Sequence, residues 1–180
     1  AGRNFGGDPC RRGLAGVNKA QGIGTESARI VCRDGGRTAP GRKDRDAVIG
    51  IVIVAHGGLA CEYLAAIEHV VGDQPGIRAI AIERDHDRAA KQAEICEAAD
   101  AVDTGEGVVI VTDMFGGSPS NLSLMACRPD NRRILYGANL PMLIKLAKSR
   151  HKSVPDAVAH ALNAGRKYID SQNISAEQDL

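Results

Sequence analysis

One histidine stands out by its neighbours. His56 follows a β-branched run, Val48-Ile49-Gly50-Ile51-Val52-Ile53-Val54, and sits in Ala55-His56-Gly57-Gly58. A lone histidine is more often a surface or satisfied core residue. At a strand end, beside two glycines that let a ligand approach the backbone, it is a candidate nucleophile. Neutral imidazole attacks near physiological pH once its other ring nitrogen is held in one tautomer. A carboxylate accepting Nδ1–H does this and stabilises the ring as positive charge develops. Asp113, closing a later apolar run, can serve if the first and third strands are neighbours; its plain alternative is a turn or capping carboxylate. The next residues, Gly116-Gly117-Ser118-Pro119, combine two glycines with a helix start, which presents backbone N–H groups at a positive dipole end and favours a phosphate. Ser118 adds a hydroxyl. Taken alone, that stretch is a loop and an N-cap. A third polar turn, Gly137-Ala138-Asn139-Leu140-Pro141, follows another apolar run.

These turns must be held by regular elements, and beyond residue 47 the pattern is regular. Strands are expected at 48–54, 77–82, 108–112 and 133–136. Helices are expected from Leu59 to Gly72, over 86–102, from a Ser118 cap with Pro119 at the first helical position, from Pro141, and from Ser153-Val154-Pro155 onward. Strands alternating with helices make an α/β fold, a mainly parallel sheet with helices on both faces. In such a sheet ligands bind outside the carboxyl ends of the strands, at a switch in strand order. All three polar turns follow strands, so they converge on one edge.

The chain of 180 residues has room for one sizeable core. It has no Trp and only two Phe and three Tyr, so the core rests on Val, Ile, Leu and Ala. No apolar run approaches the ~20 residues of a bilayer span, and no signal-peptide stretch opens the chain, so a cytoplasmic protein without membrane insertion is expected. The five cysteines are scattered, without C-x-x-C or zinc-finger spacing. Free thiols and no metal site are expected. His69, His86, His151 and His160 have no partner at ligand spacing.

The formal charge of +1 hides an asymmetry. Residues 1–45 carry ten Lys and Arg against four Asp and Glu, and residues 46–180 carry thirteen against eighteen. The first segment also holds ten glycines and little apolar pattern. Residues 1–47 are therefore expected to be a disordered or non-native segment rather than a nucleic-acid arm, since only Phe5 could stack on a base. Residues 48–170 form the domain, and 171–180 a polar tail.

Three stretches in order, IGIVIVAHG, VVIVTDMFGGSPSN and YGANLPML, resemble the mannose/fructose-type enzyme IIA domain of the phosphoenolpyruvate-dependent sugar phosphotransferase system, over about 48–170. The resemblance implies a transferase of sugar transport with a phosphohistidine at His56, Asp113 bonded to it, and Ser118 near the phosphoryl group. The glycines Gly57, Gly116 and Gly117 complete the phosphate-binding set. It implies the histidine-containing phosphocarrier protein as donor, a IIB domain as acceptor, and no cofactor. It also implies a homodimer in which a C-terminal strand, here 167–174, adds antiparallel to the partner's sheet. Met114-Phe115 departs from members that carry an aromatic residue first.

Other chemistries fit less well. A serine hydrolase lacks its G-x-S-x-G elbow, because Ser120 stands at the second glycine. A phosphohistidine phosphatase or mutase needs an Arg before His-Gly, where Ala55 stands. Residues 55–60 are not G-x-G-x-x-G. A regulatory module, whose phosphorylation state controls partner binding without transport, shares every residue of the site and stands as the alternative function.

Overall fold

In a strand, successive side chains point to opposite faces, so a sheet covered on both sides needs continuous apolar runs. The strands here are of that kind. The structure, a computed structural model, describes residues 47–171. Within them, β1 (Gly50–His56), β2 (Ile77–Ile82), β3 (Val108–Thr112) and β4 (Arg132–Leu135) form one parallel sheet in the order β2-β1-β3-β4. The helices are α1 (Leu59–Val71), α2 (Arg88–Val102), α3 (Ser118–Ser123), α4 (Leu140–Lys148) and α5 (Val154–Lys167), and a 3-10 turn, Leu124–Cys127, extends α3. The α/β class with helices on both faces is as expected.

Odd positions of β1 (Ile51, Ile53, Ala55) pack with Val109 and Val111 of β3 against α1, α4 and α5, through Ile67, Leu143, Leu146 and Ala157. Even positions (Val52, Val54) pack with Val108 and Ile110 against α2 and α3, through Ile95, Ala99 and Leu122. Both layers are fully buried at their centres, with Ile51 and Ile53 of one and Ile95 and Ile110 of the other at no more than 1 % exposure. Gly50 is required where α2 ends against β1: a Cβ there would lie 2.5 Å from the Val102 carbonyl oxygen.

Local chemistry starts the helices where the residue types indicate. Asp87 accepts from the Ala90 amide at 2.9 Å and Asn139 from the Met142 amide at 3.0 Å. Ser153 accepts from the Asp156 amide at 3.3 Å and donates to the Asp156 carboxylate at 2.7 Å. These bonds satisfy amides that have no intrahelical acceptor.

Several expectations need correction. The first strand runs two residues later than 48–54, because its ladder with β2 pairs Ile51 with Ile77 and His56 with Ile82. The fourth strand begins one residue earlier and ends one earlier than 133–136. Ser118 is the first residue of α3, and Gly117, not Ser118, is its N-cap. The C-terminal strand at 167–174 is not formed among the described residues: Lys167 closes α5, and the Ile169 amide bonds back to the Arg166 carbonyl, continuing the turn. Residues 172–174, the rest of the polar tail, and the N-terminal segment 1–46 lie outside the described residues. Cys96 and Cys127 are free, whereas Cys61, expected as a free thiol, is disulfide-bonded; an odd cysteine count leaves room for a pair.

Candidate functional site

The chain leaves β1 to β2 on one side and returns past it to β3 on the other. The strand order therefore reverses between β1 and β3, and the crevice at their carboxyl ends is the switch point. His56 is the last residue of β1, and Asp113 directly follows β3. Their side chains meet: Nδ1 of His56 lies 2.7 Å from Oδ2 of Asp113. The same oxygen accepts the His56 backbone N–H at 3.1 Å, and Oδ1 accepts the Met114 amide at 2.9 Å.

Burial pushes the Asp113 carboxyl up, but the hydrogen bonds from the His56 amide and ring, the His56 charge and the Met114 amide outweigh it and hold the group below the ordinary carboxylate value. An ionised carboxylate only accepts. Nδ1 therefore carries a proton and donates it, and in the neutral ring the lone pair then lies on Nε2. The His56 side chain is 47 % exposed, against 13 % for Asp113, so the ring is half open to solvent while the carboxylate beside it is sheltered.

Gly117 lies against that open edge. A Cβ on Gly117 would come within 3.0 Å of Cε1 and 3.5 Å of Nε2 of His56. Gly116 has φ +79°, a left-handed turn that glycine adopts without strain. The Gly117 carbonyl accepts the Asn121 amide at 3.1 Å and the Ser120 hydroxyl at 3.0 Å. With that carbonyl tied to α3, the amides of Gly116 and Gly117 have no acceptor among the described residues. The Ser118 hydroxyl likewise has no bonded partner among them. Free donors in the loop whose Gly117 lies against the ring suit an anion.

Gly57, expected among the phosphate-binding residues, is differently placed. Its amide donates to the Ile82 carbonyl at 3.0 Å, extending the sheet, so it has no N–H to offer. Its φ of +53° is what turns the chain out of β1 after His56.

Geometry of this kind does not name a family, but comparison with known proteins does. Residues 50–162 match the family model described as the PTS system fructose IIA component. The chain belongs to this family. The domain is 31 % identical over 134 residues to the PTS system mannose-specific EIIAB component of Escherichia coli (strain K12), which covers 67 % of this chain and 38 % of that protein. The chain thus spans less than two fifths of that relative's length. It is 25 % identical over 123 residues to the PTS system sorbose-specific EIIA component of Lacticaseibacillus casei, covering 67 % of this chain and 88 % of that protein. Among solved structures, the PTS IIA protein associated with the fucose utilization operon from Streptococcus pneumoniae superposes with a TM-score of 0.61 at 26 % identity, over 68 % of this chain and 93 % of that one. The mannose/sorbose specific IIA subunit from Enterococcus faecalis, at 22 % identity and a TM-score of 0.64 over 71 % and 97 % of the two chains, is a likeness of fold.

The IIA domain also holds a residue that reasoning from sequence passed over. Tyr63, on α1, donates its hydroxyl to the Ala138 carbonyl at 2.9 Å, while the Ala138 amide bonds the Thr112 carbonyl at 3.0 Å. Burial and then the nearby Asp113 carboxylate push the Tyr63 phenol up. Tyr63 thereby pins the turn after β4 beside the site. A signal was present: Leu59, Tyr63 and Ile67 share one helical stripe, and a tyrosine on an apolar stripe needs a partner for its hydroxyl. Around the site, Met114 and Phe115 are exposed, and the Phe115 ring stands edge-on to Tyr136 with centroids 5.0 Å apart. Among the described residues, no helix is long and apolar enough to cross a membrane.

Proposed function

We propose that this IIA domain is a phosphoryl carrier that accepts a phosphoryl group on His56 from the histidine-containing phosphocarrier protein and passes it to a IIB domain. The observation that carries the reading is the 2.7 Å contact of Nδ1 with Asp113, which in the neutral ring puts the lone pair on Nε2, beside the Gly117 loop. The Nε2 lone pair attacks phosphorus in line. The new N–P bond forms as the donor's N–P bond breaks, and the donor imidazole leaves with that electron pair. Nδ1–H stays with Asp113, which stabilises the cationic ring. The Gly116 and Gly117 amides and the Ser118 hydroxyl hold the equatorial oxygens. Such transfer depends on positioning and electrostatic stabilisation, which these groups supply. Passing the group onward runs the same steps in reverse toward the acceptor, and the exposed ring suits a site that must meet two proteins in turn.

The reading extends to assembly. β2 and β4 are the edges of the sheet. An edge strand offers unpaired N–H and C=O groups to another chain, which favours a homodimer. Sedimentation of the full chain at micromolar concentration checks this; a monomer rejects it.

The function is tested by incubating the full chain with phosphoenolpyruvate and the general phosphotransferase proteins. One acid-labile, base-stable phosphoryl group is expected, and none in His56→Ala. An unmodified protein, or equal labelling of that variant, rejects the proposal.

A further inference from the structure

Away from His56, a cavity of about 640 Å³ opens between α4 and α5. Lys145, Lys148 and Lys167, all exposed, are among the residues that line it. None has a carboxylate partner among the described residues. Cations in the last turns of α4 and α5 complement the helix dipoles. The dipoles do not explain why cations of two helices converge on one cavity.

The remaining wall is of two kinds. Pro141, Ile144 and Ala164 give an apolar floor. His160 contributes its ring, with Nδ1 buried and unpartnered, a state folded proteins seldom leave without a use. Tyr168 stands at the rim, 64 % exposed, with the Lys167 ammonium 5.3 Å from its ring centroid. That contact puts the Lys167 ammonium over one face of the ring.

We infer that this groove binds a nucleoside di- or triphosphate. Planar carboxylates are best matched by the fork of an arginine, whereas lysines act as separate point charges suited to phosphate oxygens. Three such charges, spread over two helices, match a chain of phosphates better than a single one. The apolar floor and the Tyr168 ring give a flat base something to lie on. The site is separate from the phosphohistidine site, being built from α4 and α5 rather than from the ends of β1 and β3.

The test is an NMR titration of the isotope-labelled full chain with ATP in 0.15 M salt, alongside adenosine and inorganic triphosphate. ATP is expected to shift amides around Lys145, Lys148, His160 and Lys167, with adenosine silent and triphosphate at least tenfold weaker. Lys145→Glu with Lys148→Glu is expected to weaken ATP binding at least tenfold, and the Gln pair to weaken it in the same direction by less. These side chains are exposed, so unchanged circular dichroism and melting certify the fold. His56→Ala should bind ATP as the parent does. No shift at millimolar ATP, or binding indifferent to the charge reversal, overturns the inference. So does triphosphate binding as tightly as ATP, which would reduce the groove to a charged surface. Loss of binding in His56→Ala places the nucleotide at the other site and overturns it as well.

Discussion

At the carboxyl end of the sheet, His56 pairs with Asp113 through one ring nitrogen and keeps its side chain 47 % exposed. At the amino end, Arg132 opens β4 with a side chain only 7 % exposed, bonded to Asp100 at 2.6 Å, to Asp103 at 3.2 Å and to the Ala126 carbonyl at 3.2 Å. Both are side-chain pairs at an end of the sheet, yet they are built differently. Arg132 fastens α2 and the 3-10 turn to the start of β4, and the fold occupies both its terminal nitrogens. His56 is fastened by one nitrogen and its backbone, while the other nitrogen faces a loop whose amides have no acceptor among the described residues. Among the described residues, the pair that serves stability leaves only the buried Arg132 Nε without a partner. The pair proposed to serve chemistry keeps a second ring nitrogen without one.

The contrast breaks most sharply if Asp113 proves dispensable. Asp113→Asn and Ser118→Ala should each fold and accept phosphate slowly, since loss of one preorganised group costs roughly 2.7–4 kcal/mol, about two to three decades in rate. Single-turnover phosphorylation measures this, and near-parental rates in both would mean the site is wrongly assigned. Arg132→Ala should do the reverse. It leaves Asp103 and the Ala126 carbonyl without their partner, a loss of about 1–3 kcal/mol in urea unfolding, with the phosphorylation rate of the folded protein unchanged. A slowed rate at full occupancy would show that the two ends are coupled.

Gly117→Ala sharpens the picture at the open edge. The backbone of Gly117, at φ −79°, accepts alanine, but the new Cβ at 3.0 Å from Cε1 must push the His56 ring by a few tenths of an ångström. A displacement of ~1 Å can cost 10²-fold, so a loss of roughly tenfold in transfer rate is expected, with little change in melting. Parental transfer would show that the loop yields and that Gly117 does not set the approach to Nε2.

The smallest effect concerns pH, and here the two ends behave alike. Asp113 and Asp103 are each pushed up by burial and pulled further down by their hydrogen bonds and cationic neighbours, so both sit below the ordinary carboxylate value in the folded protein. A depressed native value means the unfolded chain binds the proton more readily. The stability they contribute is therefore fully present above the unfolded value of about 3.9 and is lost as pH falls through the native values. Urea midpoints from pH 6 to 2.5 should fall below about pH 4, and the fall should be shallower in Asp113→Asn. An identical slope in that variant would mean that Asp113 has no part in the acid loss.

Much of the fold is legible in the residues because its signals are local. The strands Ile77–Ile82 and Val108–Thr112 and the helix Leu59–Val71 lie where their apolar runs place them, the helix stopping at Gly72. Asp113 and His56 could be nominated on residue type and on their place after an apolar run. The boundaries that slipped were decided by partners. Gly50–His56 ends on the histidine because the ladder to β2 runs that far, a fact no periodicity in residues 48–56 contains.

By itself, then, the sequence determined which segments are strands and helices, and that polar turns follow three of the strands, since side-chain periodicity and turn chemistry act over a few residues. Only the tertiary structure decided that β1 and β3 are neighbours, and so that His56 and Asp113 meet at 2.7 Å. It decided too that the Gly57 amide belongs to the sheet, that Ser118 begins a helix rather than capping it, that Tyr63 braces the turn after β4, and that three lysines of α4 and α5 face one cavity. Each of these depends on which elements lie side by side. That is fixed by the packing of both sheet faces and the handedness of the crossovers, and these act between residues far apart in the chain.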